Sequence, residues 1–148
     1  MRNLLITTLT LFALNFTTTV SAQNQNPASS GSYFITENYY KIKWGYADEF
    51  IALWKKNHYP LLQKTTESGD IISVKAEKPT LHSGEDTRWD FRVTIVWKNA
   101  ESGVGKVDPS LQYRSELYPD TEKLDKDEQY RFSLLLAHWD VIVESIKL

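Results

Sequence analysis

Cysteine is absent from all 148 residues, which excludes disulfides, thiol catalysis and thiolate metal sites. Positive charge is in short supply as well: 17 Lys and Arg stand against 19 Asp and Glu, a formal charge of −2. No basic stripe stands out, so nothing in the chain points to nucleic acid. There are only three histidines, and no two share the spacing of helical metal ligands, so no metal is expected. The stretch Ser102-Gly103-Val104-Gly105-Lys106 lacks the full spacing and the strand-to-helix setting of a phosphate loop, and no Gly-x-Ser-x-Gly elbow occurs. No cofactor is expected. The sequence is rich in aromatic residues, at 13%, with five Trp and eight Tyr. That density suits either a bulky core or a pocket for a small apolar or aromatic ligand.

The N-terminus reads as a processing segment. Arg2 supplies the positive flank, Leu4 to Phe16 a short apolar run, and Val20-Ser21-Ala22 a small-residue cleavage site. The run is too short and too soon polar for a good membrane span. The expectation is therefore a signal peptide over 1–22 and a secreted or periplasmic product with no membrane attachment after cleavage. Residues 23–38 begin with Gln-Asn-Gln-Asn-Pro-Ala-Ser-Ser-Gly-Ser and read as a flexible polar linker. One domain is expected over 39–148.

Within it, Tyr39 to Trp44 alternates as a strand ending at Gly45 and could start earlier, because Tyr33-Phe34-Ile35 is also strand-like. From Asp48, the residues Phe50, Leu53, Trp54, Asn57, His58, Leu61 and Leu62 recur at three- and four-residue steps, the spacing of one helix face. Pro60 has no N–H for the preceding turn, so a kink is predicted there. Gly69 suits the left-handed position past the helix end. Ile71 to Lys78 is the second strand, and a loop through His82 leads to the third, Trp89 to Trp97. Asp108-Pro109 reads as a helix start, with the helix running to about Tyr118. Asp125 with Glu128 reads as a capping box for the last helix. Trp139 to Ile146 closes the chain as a strand.

The order strand, helix, strand, strand, helix, strand predicts an α+β ferredoxin-like sandwich, a four-stranded antiparallel sheet with both helices on one face. The face assigned to the helices carries Tyr40, Ile42, Trp44, Ile72, Val74, Ala76, Trp89, Phe91, Val93, Ile95, Trp97, Trp139, Val141 and Val143. The opposite face then carries Lys41, Lys43, Lys75 and Arg92 with Glu77, Asp90, Asp140 and Glu144, four charges of each sign.

His58 is the leading functional candidate. Its ordinary pKa of about 6.5 suits a general base or a group orienting a phenol or enol. It would serve equally as a core histidine bonded to a carbonyl freed by Pro60. Asn57 could polarise a carbonyl or act as a local cap, and Trp44 and Trp54 could wall a flat ligand or fill the core. His138 and Asp140 share one strand face, which the assignment above makes the helix-free one.

Trp54-Lys-Lys-Asn-His58-Tyr-Pro60-Leu61 on the first helix of such a fold resembles the dimeric α/β-barrel superfamily, and more narrowly its EthD-type members. The resemblance implies a homodimer in which two sheets pack by their helix-free faces, each subunit keeping a pocket between sheet and helices. It also implies a choice of activities: cofactor-independent oxygenases, polyketide cyclases, lactone isomerases and haem-degrading enzymes. Two functions stay open. One is small-molecule binding without chemistry at Trp44, Trp54, Asn57 and His58. The other is catalysis on a small aromatic or enolisable substrate with His58 as acid/base.

Overall fold

Four strands form one antiparallel sheet in the order β2-β3-β1-β4, built from β1 (Phe34–Ile42), β2 (Ile71–Glu77), β3 (Phe91–Trp97) and β4 (Leu135–Val143). This computed structural model describes residues 33–81 and 83–146. The proposed signal peptide, the linker up to 32 and His82 lie outside the described residues. The helices are α1 (Ala47–Leu53), α2 (Tyr59–Glu67), α3 (Ala100–Val104), α4 (Arg114–Leu117) and α5 (Thr121–Ser133). The core is made by Tyr40, Ile42, Phe91, Val93, Ile95 and Trp97 from the sheet against Phe50, Trp54 and Leu62 from the first helical segment. This is the α+β ferredoxin-like sandwich.

The alternation in Phe91–Trp97 decides β3: every second residue is buried. Strand β1 begins five residues inside the stretch read as linker, because Thr36 and Tyr40 continue the inward face of Ile42. It also ends early. Trp44 is 66% exposed and lies over the Arg88 guanidinium, 4.2 Å from ring centroid to carbon, outside the core face assigned to it.

Two further residues change face. Ile72 sits at an irregularity in the β2–β3 register, so Ile71 takes the inward position opposite Trp97 and Ile72 is left exposed. Trp89 precedes β3 instead of starting it. The Asp90 carboxylate accepts from the Ile42 backbone N–H and from Arg88, which turns the chain there. Trp89 ends up edge-on to Tyr39 on the helix-free side.

The largest correction concerns β4. It starts at Leu135, before the predicted Trp139, and its register places Trp139 opposite Tyr39 and His138 opposite Tyr40. Directly opposed residues project to the same side of a sheet. Trp139, Val141 and Val143 are therefore on the helix-free face with Tyr39 and Ile35, while His138 and Asp140 share the helix side with Tyr40 and Asn38. A strand exposed along both faces leaves no hydrophobic contrast for sequence to read. The helix-free face is not uniformly charged. It is apolar along β4 and ion-paired elsewhere, with Arg92 bridging Glu37 and Glu77, and Lys75 joining Glu77.

In the helices, the stretch read as one helix kinked at Pro60 is divided by a π turn just before that proline. Trp54–His58 is a π-helical turn, closed by the Tyr59 N–H on the Trp54 carbonyl, and Pro60 opens the first turn of α2. Gly69 has φ +86°, the left-handed conformation. Asp108 caps only a short turn: its carboxylate accepts from the Ser110 N–H, and the expected helix shrinks to a 3₁₀ turn and α4. The last helix begins four residues before Asp125. Asp120 is its cap, accepting from the Lys123 N–H. Glu128, freed from capping, holds Arg131.

Candidate functional site

His58 is the last residue of the π turn that precedes α2. It lines a cavity of about 230 Å³ between the sheet and the helical layer. The floor is Asn38 of β1 with Ile95 and Trp97 of β3. Leu62 of α2 forms one wall, and the segment from Ser102 to Ser110 the other. Gly103 is what lets that segment close down. A methyl there would stand 2.6 Å from the Phe34 ring and 3.0 Å from Trp97.

Five of the lining side chains are polar: Asn38, His58, Ser102, Asp108 and Ser110. Asn38 donates its side-chain amide to the Val93 carbonyl at 2.9 Å, which fixes its orientation over the floor. Asp108 is held by the Ser110 N–H at 2.8 Å. Among the described residues nothing hydrogen-bonds the His58 imidazole, and its surroundings act on it through burial and charge. Burial holds its pKa below the ordinary 6.5, and the Arg131 guanidinium pushes it the same way. Glu128 and Asp108 pull partly back. His58 is thus a neutral imidazole at neutral pH.

Behind His58 lies a second polar group of residues. Arg131 is buried, and Glu128 clamps it with bonds of 3.0 and 2.6 Å. Its guanidinium carbon is 5.2 Å from the Phe50 ring centroid. Tyr40 stacks flat on His138, with ring centroids 4.4 Å apart. His138 Nδ1 is 2.9 Å from the Tyr39 carbonyl, so that nitrogen carries a proton. Its Nε2 is 3.6 Å from the Asp140 carboxylate. Burial pushes the Tyr40 hydroxyl up to about 12, eased by Arg131 and raised by Asp140.

The four residues singled out from sequence do not meet in one place. Trp54 is 2% exposed and packs edge-on against Phe91 at 5.1 Å, inside the core. Asn57 is buried and faces a separate groove with Leu117, Tyr118 and Leu124. Trp44 is on the outer surface with Arg88. Only His58 lines the cavity.

No protein-family model matches the sequence, and no curated protein matches it. Similar folds occur among solved structures. A dimeric ferredoxin-like protein from an uncultured marine organism shares 6% identity over 79% of this chain and 90% of that one, with a TM-score of 0.49. A NIPSNAP family protein from Agrobacterium tumefaciens str. C58 shares 14% over 78% and 87%, with a TM-score of 0.44. An antibiotic biosynthesis monooxygenase shares 11% over 77% and 99%, with a TM-score of 0.41. The ferredoxin-like assignment rests on the strand order itself.

Sequence reasoning missed Asn38, Asp108 and Arg131 as neighbours of His58. Asn38 had a readable signal. Thr36, Asn38, Tyr40 and Ile42 alternate, so extending the strand backward from Ile42 aims Asn38 inward. Arg131 had none, because its burial depends on where α5 lands.

The low imidazole pKa makes stability depend on pH with a definite sign. The unfolded chain protonates His58 near 6.5, and the folded chain does so only at lower pH. The contribution of His58 is therefore complete above about 6.5 and is lost as pH falls from there through the folded value. Urea midpoints recorded from pH 7.5 down to 5 should fall for the wild type, with a shallower decline in His58→Gln. Equal slopes would place His58 in water.

Proposed function

We propose that this chain is an exported small-molecule-binding protein of the dimeric α/β-barrel type, with its ligand in the cavity beside His58. The observation that carries the reading is an imidazole without a hydrogen-bonding partner among the described residues, set in the wall of a partly open cavity of mixed polar and apolar lining. Its mixed wall, with Leu62, Ile95 and Trp97 beside Asn38, Asp108 and Ser110, suits a small molecule with an apolar body and a polar edge. EthD-like kinship rests on the spacing of Trp54, His58, Pro60 and Leu61 alone.

A catalytic reading draws on one specific feature. An imidazole kept neutral by burial is ready to accept a proton, with the Asp108 carboxylate nearby to favour the charged form. His58 would then be the acid/base of a cofactor-independent oxygenase, cyclase or isomerase on an enolisable substrate.

The homodimer draws support from the helix-free face. Ile35, Tyr39, Trp139, Val141 and Val143 give two adjacent strands an apolar patch on this face, interrupted on β1 by Glu37 opposite Val141, and the ring of Tyr39 stacks on Trp139 at 5.3 Å. A second copy related by a two-fold axis buries this patch against its like. Val141→Asp places a charge in the centre of that interface and should weaken association by at least about a hundredfold. Light scattering after size exclusion at micromolar concentration reads the change from dimer to monomer. An unchanged mass would leave the patch in solvent.

Native mass spectrometry of the chain from Gln23 tests the whole reading. A dimer that releases a small molecule on collisional activation is the expected result, and a bare monomer contradicts it.

A further inference from the structure

A second groove of about 210 Å³, separate from the His58 cavity, lies between the π turn and the start of α5, with Lys56 and Asn57 on one side and Leu117, Tyr118, Pro119 and Leu124 on the other. Pro60 takes part in building it. A proline has no N–H for the carbonyl four residues earlier, and the Tyr118 hydroxyl donates to that Lys56 oxygen at 3.0 Å. The bond pins the chain before α5 across the turn.

Asn57 is 3% exposed, and its Nδ2 has no hydrogen-bond partner among the described residues. A buried amide nitrogen without an acceptor is costly. The χ2 torsion of Asn is broad, so a modest turn about it presents the amide to the groove that the residue lines. Charges at the rim are already matched. Asp127 takes Lys56 at 2.7 Å and Lys123 at 3.1 Å, and Asp120 accepts from the Lys123 backbone N–H. An ionic ligand would have to break those pairs, whereas a neutral one leaves them intact.

We propose that this groove is a second binding site, and that it takes a small uncharged molecule with an apolar body and an amide group, a lactam or a primary carboxamide. Such a group carries an acceptor and a donor on one edge, the complement of the Asn57 side chain. Two parallel hydrogen bonds satisfy the buried amide, and the apolar body packs on Leu117, Pro119 and Leu124. The site stands or falls independently of the His58 cavity.

The test titrates 2-piperidone and tetrahydropyran, six-membered rings with and without the amide, at millimolar concentration into the intact protein, followed by NMR. The expected result is saturable movement of the Asn57 side-chain NH₂ resonances and of the Leu117 and Leu124 methyls. The wild type should bind 2-piperidone about tenfold more tightly than tetrahydropyran. Asn57→Leu keeps the branching of the side chain and removes both polar atoms, so it should bind the two rings equally. The wild-type readings stand without that variant. Equal binding of the two rings by the wild type, no binding of 2-piperidone, or shifts confined to Ile95 and Trp97 of the other cavity would overturn the proposal. So would retention of the full gap in Asn57→Leu.

Discussion

Trp54→Ala should destabilise the domain by about 3–5 kcal/mol, the range for truncating a large buried aromatic, measured as a shift of the urea midpoint. Trp54 is almost completely buried, stacked on Tyr59 at 5.6 Å and edge-on to Phe91 at 5.1 Å. It begins the π turn, so its removal leaves a void at the point where the helix is already wound loosely. For a domain whose total stability is on the order of 5–15 kcal/mol, this is a large part of the whole. Trp44→Ala is the control. That side chain is mostly exposed and covers Arg88, so its loss should cost about 1 kcal/mol or less. Near-normal stability in Trp54→Ala with loss of ligand alone would make Trp54 a wall of the cavity and not part of the core.

Glu128→Ala should be the second most damaging change, at about 3 kcal/mol. Arg131 is buried and Glu128 is its ion-pair partner, through two bonds. Removing one member of a buried pair leaves an uncompensated charge, which typically costs about 3–5 kcal/mol. The Glu128 side chain is partly exposed, and solvent reaching the vacated side brings the figure to the lower end. The double variant Glu128→Ala with Arg131→Met should recover much of the loss, because no charge is then stranded. A site-specific readout accompanies it. Glu128 raises the pKa of His58, so Glu128→Ala should move the imidazole titration to still lower pH, followed through the ring carbon resonance. An unchanged titration would separate α5 electrostatically from the cavity.

Legibility in the sequence followed the contrast between faces. Strand β3 alternates between bulky apolar and polar residues, one face is buried, and the reading survived intact from Phe91 to Trp97. The helix with Trp54 and His58 was equally plain, because Pro60 and Gly69 mark a bend and an end by backbone sterics alone. Strand β4 was misread for a physical reason. Its apolar residues Trp139, Val141 and Val143 face away from the helices, and sequence alternation cannot say which surface buries an apolar face. That one inversion put His138 and Asp140 on the wrong face of the sheet and made the helix-free face look charged. The helix expected from Asp108 to about Tyr118 came out as two short turns, because Asp108 caps only the Ser110 N–H and the chain offers no long apolar face there to hold a helix. Of the site itself, His58 was visible as a polar interruption in an apolar helix face. Its separation from Asn57 was legible too, because consecutive residues on a helix point roughly 100° apart and here line different grooves.

The central claim is that the space beside His58 holds the ligand. The most direct measurement compares the wild type with His58→Trp by native mass spectrometry, with circular dichroism to show that both are folded. An indole at this position fills the cavity from its wall. The account predicts a small molecule retained by the wild type and absent from His58→Trp. The same molecule retained at equal occupancy by both would place the binding site elsewhere and contradict it.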